Sequence, residues 1–312
     1  MIFTVTLNPA LDKTVTIPSF SVNAVNRVQN LRTDAGGKGI NVSKCIGVLG
    51  GKSTALAILG GNVGKGILSF LEDQPCITPV AVWTDGETRT NMKIVDPDRG
   101  FYTDINEPGP KVGPDVLSRL RGELLSRVKK NDIVVLSGSM PAGAPASLYG
   151  EWCRLFREHG ARVFLDADGD RLALGLDAKP DLIKPNRDEL AALTGKALAT
   201  EKDVFHAAAS LLEKGIARVV VSLGKDGALF LSRSGTLRLP SLEVPVRSTV
   251  GAGDSMVAAL AYGAEQNMPW EKQARLAVAF GTASVTCDGT QTPSAETVQG
   301  FFKQTKVKKV SL

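Results

Sequence analysis

The chain has 312 residues, of which 43% are hydrophobic and 22% charged, a balance that excludes a disordered or fibrous protein. The 37 Lys and Arg against 32 Asp and Glu leave a net charge of +5, too dilute, with so few aromatics, to mark a nucleic-acid surface, though it suits an anionic small molecule. At this length a single core nears its upper size, so one large domain with an appendage is expected. Cys45, Cys76, Cys153 and Cys287 lie far apart with no C-x-x-C pair, and only two histidines occur, which argues against a zinc site or a disulfide framework.

The N-terminus, MIFTVTLNPALDKT, has no basic leader and no small-residue cleavage site and reads as a strand entering a turn, which predicts a cytoplasmic protein. Lys13 to Thr33 and Val80 to Ile105 are rich in Thr, Val and Asn, with turn residues at Asp85-Gly86 and Asp96 to Gly100. Both predict antiparallel strands of a small sheet projecting as a lid, whose open apolar face favours a dimer. A short helix is expected over Val42 to Leu49. From Asn131 onward, short β-branched runs alternate with helical patterns, the mark of right-handed βαβ units. The predicted strands are Ile133 to Leu136, Arg162 to Leu165, Leu182 to Ile183 and Arg218 to Ser222. Helices are expected over Pro114 to Lys129, over Pro145 to Glu158 with a stop at Gly160, and from the Thr200/Asp203 cap to Gly215. The uncharged stretch Ile133 to Gly150 is broken by Pro141, Pro145 and glycines, so no membrane span is predicted. The tail Lys306 to Leu312 is expected to fray.

The most informative segment is Ser248-Thr249-Val250-Gly251-Ala252-Gly253-Asp254-Ser255, between a strand-like run (Leu242 to Val246) and a helical one (Met256 to Tyr262). Gly251 and Gly253 permit a sharp bend that aims backbone amides at an anion on a helix N-terminus. Asp254 then falls in the first helical turn, either as a simple cap or as a base for an attacking hydroxyl. Gly51-Lys52-Ser53 is not a P-loop, because Ile46 stands where its other glycine is required, and no G-x-G-x-x-G occurs.

Ala35-Gly36-Gly37-Lys38-Gly39-Ile40-Asn41 sets a lysine among three glycines, suited to a phosphate or to sugar hydroxyls. Arg89, in Glu87-Thr88-Arg89-Thr90-Asn91, offers a bidentate fork to phosphate or is an exposed strand arginine. Ser139 follows an apolar strand at the end where open α/β sheets bind ligands. Asn186 and Glu189 open another helix, as a capping pair or as oxygen ligands for Mg²⁺.

With these motifs assembled, the sequence resembles the PfkB (ribokinase-like) sugar kinases over nearly its whole length. The match runs through Thr6 to Asp12, Gly36 to Val42, Thr88 to Asn91, Ser137 to Pro141, Lys184 to Asn186 and Thr249 to Ser255. The resemblance implies an α/β fold in three layers, a mostly parallel ribokinase-like sheet with a small antiparallel β lid from about residues 12–34 and 80–106, in one domain over 1–312. It implies an ATP- and Mg²⁺-dependent kinase acting on a phosphosugar, as a homodimer through the lid. The expected reaction is phosphorylation of fructose 1-phosphate at C6, with tagatose 6-phosphate or fructose 6-phosphate as alternative acceptors and a non-catalytic binding module as the rival class. Asp254 would be the base, and Gly251, Ala252 and Gly253 the anion hole. Asp12, Gly37 and Asn41 would hold sugar hydroxyls, and Lys38, Arg89, Ser139 and Arg27 the sugar phosphate. Lys184, Ser222, Gly224, Gly227, Val246 and Thr249 would form the nucleotide site, with Asn186 and Glu189 near the metal.

Overall fold

The computed structural model describes residues 1–310. The chain opens with β1 (Ile2–Thr6), β2 (Ala10–Thr16), β3 (Asn30–Gly36) and α1 (Lys38–Val48). β4 (Ser53–Leu59), α2 (Gly61–Glu72), β5 (Ile77–Trp83), β6 (Arg89–Asp96) and β7 (Phe101–Asn106) follow. The regular alternation comprises α3 (Pro114–Leu125), β8 (Ile133–Ser137), α4 (Leu148–Glu158), β9 (Arg162–Asp166), α5 (Gly169–Leu176), β10 (Leu182–Ile183), α6 (Arg187–Thr194), α7 (Glu201–Glu213) and β11 (Arg218–Ser222). The chain ends with β12 (Ala228–Ser232), β13 (Gly235–Leu239), α8 (Ala252–Glu265), α9 (Trp270–Val285), α10 (Ala295–Gln304) and β14 (Lys308–Val310).

Ten strands form one sheet in the order β14-β13-β12-β11-β10-β9-β8-β1-β4-β5. It is parallel from β11 to β5 and antiparallel at the β12-β13-β14 edge. The central strands β1, β4 and β8 are buried along their whole length, which explains why Ile133 to Leu136 of β8 read as a continuous apolar run rather than an alternating one. On one face Leu117, Leu120 and Leu124 of α3, Trp152 and Phe156 of α4, Leu172 of α5, Leu190 of α6 and Val204 and Leu211 of α7 pack on Leu56, Leu136, Val163 and Val221. On the other, α1, α8, α9 and α10 cover Ile133, Val135, Phe164 and Phe230. The result is three layers, as expected.

The four-stranded lid runs β3-β2-β6-β7. Its outer pairs are antiparallel and its central pair, β2 with β6, is parallel. Several expectations need correction. Val80 to Trp83 belong to β5 on the main sheet, pairing with Leu56 to Leu59, so the second lid segment begins only after the Asp85-Gly86 turn. Within Lys13 to Thr33 the strands are separated by the 17–29 loop. Leu242 to Val246 forms no strand and joins no sheet. The helices expected over Val42 to Leu49 and Met256 to Tyr262 start earlier, at Lys38 and Ala252, because the glycines before them serve as the helix entrances. The tail does not fray at Lys308 to Val310, which adds an edge strand to β13; Ser311 and Leu312 lie outside the described residues. No described helix is long and apolar enough to cross a membrane.

Candidate active site

The parallel strands deliver polar residues to one edge of the sheet. Thr6 ends β1, Ser137 ends β8, Asp166 ends β9, Lys184 follows β10 and Ser222 ends β11. Chain direction alternates sides at β1, which lies between β8 and β4, and a crevice forms outside the strand ends where the order reverses. Lid residues and the strand ends together line an open cavity of about 1370 Å³, roomy enough for two small ligands. Eight buried side-chain polar atoms among the described residues lack a hydrogen-bond partner. Six of them, on Thr6, Asn8, Asn41, Arg89, Asn91 and Ser137, belong to residues lining this cavity. Buried polar atoms are rarely left unpaired, so their concentration here marks a place built for a ligand rich in hydroxyls.

At the lid end, strand register sets Asp12 of β2 beside Asn91 of β6. Asn91 Nδ2 donates to Asp12 Oδ1 at 2.9 Å. Burial raises the Asp12 carboxyl, and the Asn91 bond opposes that shift. A methyl group on Gly36 would lie 2.0 Å from the Asp12 carboxylate, so a glycine here gives that side chain its space. Arg89 donates to the carbonyls of Asn8 (3.1 Å) and Glu107 (3.3 Å), joining the β1–β2 turn to the exit of β7. Asn8 Nδ2 reaches Ser139 Oγ at 3.4 Å.

At the other end, α8 begins at Gly251, whose φ of 82° is left-handed, and no side chain caps the helix. Gly251, Ala252 and Gly253 line the cavity at this helix entrance, where the helix dipole favours negative charge, and the Ala252 amide donates to the Thr249 carbonyl at 3.4 Å. A Cβ on Gly253 would sit 3.1 Å from Lys184 Nζ, so a larger residue there would push the lysine slightly aside. Asp254 is buried in the first turn and accepts a hydrogen bond from Asn41 Nδ2 at 2.9 Å. Its carboxyl is pushed up to about 6, first by burial and then by Asp166, against the pull of Asn41, Lys38 and Lys184. Such a group is ionised at neutral pH yet close enough to its pKa to take up a proton.

The two ends are linked by Asp166, which pairs with Lys38 Nζ at 3.4 Å and Lys184 Nζ at 3.3 Å. Burial would raise the Asp166 carboxyl, but the two ammonium groups hold it below the ordinary value. Asp166 in turn raises the pKa of Lys38. Arg89, Lys38, Lys184 and the α8 N-terminus thus all line the same cavity.

Asn186 and Glu189 form a reciprocal capping box on α6, each side chain accepting the other's amide at 2.8 Å. They also line the cavity, as do Ser222, Gly224, Gly227, Val246 and Thr249 on the adjoining wall. Both readings of Asn186 and Glu189 are therefore compatible, since each oxygen keeps a lone pair and hard oxygen donors suit Mg²⁺. Of the residues singled out from the sequence, Arg27 alone stands apart, exposed in the 17–29 loop and outside the cavity lining. Asp166 was missed by sequence reasoning. The available signal was its place in Leu165-Asp166-Ala167-Asp168, at the end of a predicted strand. Asn8, Asn91, Thr6 and Ser137 stood within quoted motifs without an assigned role.

A nucleotide-sized wall without a P-loop, a hydroxyl-lined pocket and a helix-borne carboxylate between them define the sugar-kinase class. The family model for pfkB family carbohydrate kinases matches residues 5–297, and the chain belongs to that family. It is 38% identical to the 1-phosphofructokinase of Rhodobacter capsulatus, over 98% of this chain and 97% of that protein. The crystal structure of a possible 1-phosphofructokinase from Thermotoga maritima superposes with a TM-score of 0.88 at 32% identity, covering 100% of both chains. Phosphofructokinase-2 from Escherichia coli in complex with fructose-6-phosphate gives 0.91 at 31% identity, covering 97% of this chain and 98% of that one.

Proposed function

We propose that the protein transfers the γ-phosphoryl group of ATP to the C6 hydroxyl of fructose 1-phosphate, yielding fructose 1,6-bisphosphate and ADP. The observation that carries this is one continuous cavity in which Asp254 lies between a hydroxyl-binding pocket under a basic lid and an uncapped helix N-terminus. The names of its relatives favour the 1-phosphate. Lys38, Arg89 and Ser139 would anchor the phosphate already on the sugar, while Asp12, Gly37 and Asn41 hold its hydroxyls. Asp254 accepts the hydroxyl proton as the C6 oxygen attacks phosphorus, and the O–P bond to ADP breaks. The amides of Gly251, Ala252 and Gly253 stabilise charge on the moving phosphoryl oxygens, and Lys184 neutralises the nucleotide phosphates. Asp166 keeps the two lysines aligned and stops their mutual repulsion from opening the site.

ATP requires a divalent cation, and we assign Mg²⁺ to the neighbourhood of Asn186 and Glu189, whose oxygens would hold it through water. When bound, the ion supplies charge neutralisation between the nucleotide phosphates. We further infer that the whole chain works as one kinase domain in the cytoplasm, where ATP is available, and that it dimerises through the lid. The lid leaves Leu31, Tyr102 and Ile105 exposed, and the adjoining loop adds Val22, Val25 and Val28; apolar area of this kind is normally covered. Arg27, in the same loop, would reach a phosphosugar through movement of that loop or across the lid contact.

A second reading, phosphorylation of fructose 6-phosphate at C1, draws on the fructose-6-phosphate complex of the Escherichia coli structural relative. Steady-state kcat/KM on fructose 1-phosphate, fructose 6-phosphate and tagatose 6-phosphate with MgATP separates these readings. Preference for the 1-phosphate is expected, and preference for a 6-phosphate overturns the assignment.

A further inference from the structure

We propose that Arg32 is a positioning residue that couples the lid to the nucleotide end of the cavity; this rests on the two-ligand reading of the cavity given above. Arg32 lies on lid strand β3 opposite Thr14 of β2, two residues from Asp34, which is opposite Asp12. Its Nε donates to Asp34 Oδ2 at 2.7 Å, which orients the guanidinium. Its Nη2 then leaves the lid and donates to the backbone carbonyl of Asp288 at 3.0 Å.

Asp288 sits in the loop after α9, next to Gly289 and Thr290, which line the cavity. That loop rests against the anion hole: the Cα of Thr290 is 3.9 Å from where a Cβ on Gly251 would stand. The Asp288 side chain pairs with Arg247 at 3.2 Å, and the amides of Arg247 and Ser248 donate to Val285 at 2.8 and 3.3 Å. The loop is thereby tied to the segment that leads into the Gly251 bend. Gly289 has a φ of +61°, and a methyl group there would approach Arg32 Nη2 to 2.6 Å, so the loop leaves this space to the guanidinium.

The Arg32 to Asp288 bond can form only while the lid is down. A phosphosugar gripped by Asp12 and Arg89 favours the lowered lid. A nucleotide seated on the α8 amides favours the ordered loop. Because one hydrogen bond requires both arrangements, each ligand increases the affinity for the other, and the increase is reciprocal. The Arg32–Asp34 ion pair is half-buried, and its part is to aim the arginine.

The test is calorimetric. The Kd of a non-hydrolysable ATP analogue is measured with and without saturating fructose 1-phosphate, for the native chain, Arg32→Gln, Gly289→Ala and the double variant. In the native chain the sugar is expected to tighten nucleotide binding on the order of tenfold. In Arg32→Gln that ratio falls towards one while nucleotide binding alone changes little. Gly289→Ala, which blocks the same contact from the loop side, lowers the ratio equally, and the double variant lowers it no further. An unaltered ratio in Arg32→Gln, or additive losses in the double variant, overturns the proposal, as does a native chain that binds both ligands independently. A native chain that binds the nucleotide and none of the phosphosugars overturns the functional reading and removes the latch with it.

Discussion

In the proposed mechanism the chemistry turns on Asp254, and its surroundings pull its proton affinity in opposite directions. Burial and Asp166 raise its pKa to about 6, while the Asn41 hydrogen bond opposes them. A base must be ionised to act, so kcat/KM should fall on the acid side with an apparent pKa near 6. Asn41→Ala removes a donor that favours the carboxylate, and the acid limb should move to higher pH in a pH–rate profile. A limb that stays in place would mean another group controls it. The same shift bears on stability. The folded pKa of about 6 lies well above that of an unperturbed aspartate, so the folded state binds this proton more tightly than the unfolded chain. Stability from this group is present below the lower value and lost as pH rises through the upper one. Asp254→Asn should therefore melt higher than the native chain at pH 8. The sequence pointed to Asp254 because two glycines before a helix carry a backbone reason of their own. It gave no comparable sign for Asp166, whose role arises only when β9 packs between β8 and β10 and brings Lys38 and Lys184 to either side of it.

Among the elements, the lid connects sequence pattern with substrate choice most directly. Asp96, at the end of β6, is fully buried and accepts the amides of Ser19, Phe20, Asp98 and Arg99 at 2.8–3.3 Å. Burial alone would raise its pKa, and these four bonds hold it down instead, pinning the 17–29 loop to the β6–β7 turn. At the other end of β6, Arg89 donates to the Asn8 and Glu107 carbonyls. Arg89→Ala should raise KM for the phosphosugar about tenfold or more, with little change for ATP, in two-substrate kinetics. The reverse pattern would place Arg89 at the nucleotide. The Thr- and Val-rich composition made the lid visible in the sequence, but it could not separate β5 from β6. Val80 to Trp83 have the same strand-forming composition as the lid strands, and only parallel pairing with β4 assigns them to the main sheet. Leu242 to Val246 shows the converse: a strand-forming run with no neighbouring edge remains an unpaired wall of the cavity.

For the whole molecule, the α/β alternation was legible in the sequence, and every residue singled out for the site except Arg27 lines one cavity, because each βα junction carries a turn signal at the strand end where open sheets bind ligands. Quaternary structure is a separate matter, and the proposed dimer contact is the group of apolar residues that the lid and its loop leave exposed. Sedimentation velocity at micromolar concentration should give a dimer for the native chain and a monomer for Val25→Asp combined with Leu31→Asp. A variant that remains dimeric would put the interface elsewhere. The division of labour across the cavity is tested most directly by turnover of Asp254→Asn at saturating MgATP and fructose 1-phosphate, with binding of both ligands measured on the same sample. The expected result is a kcat lower by about 10² to 10⁴-fold with both ligands still bound. A kcat equal to that of the native chain would contradict the assignment of Asp254 as the base and the mechanism built around it.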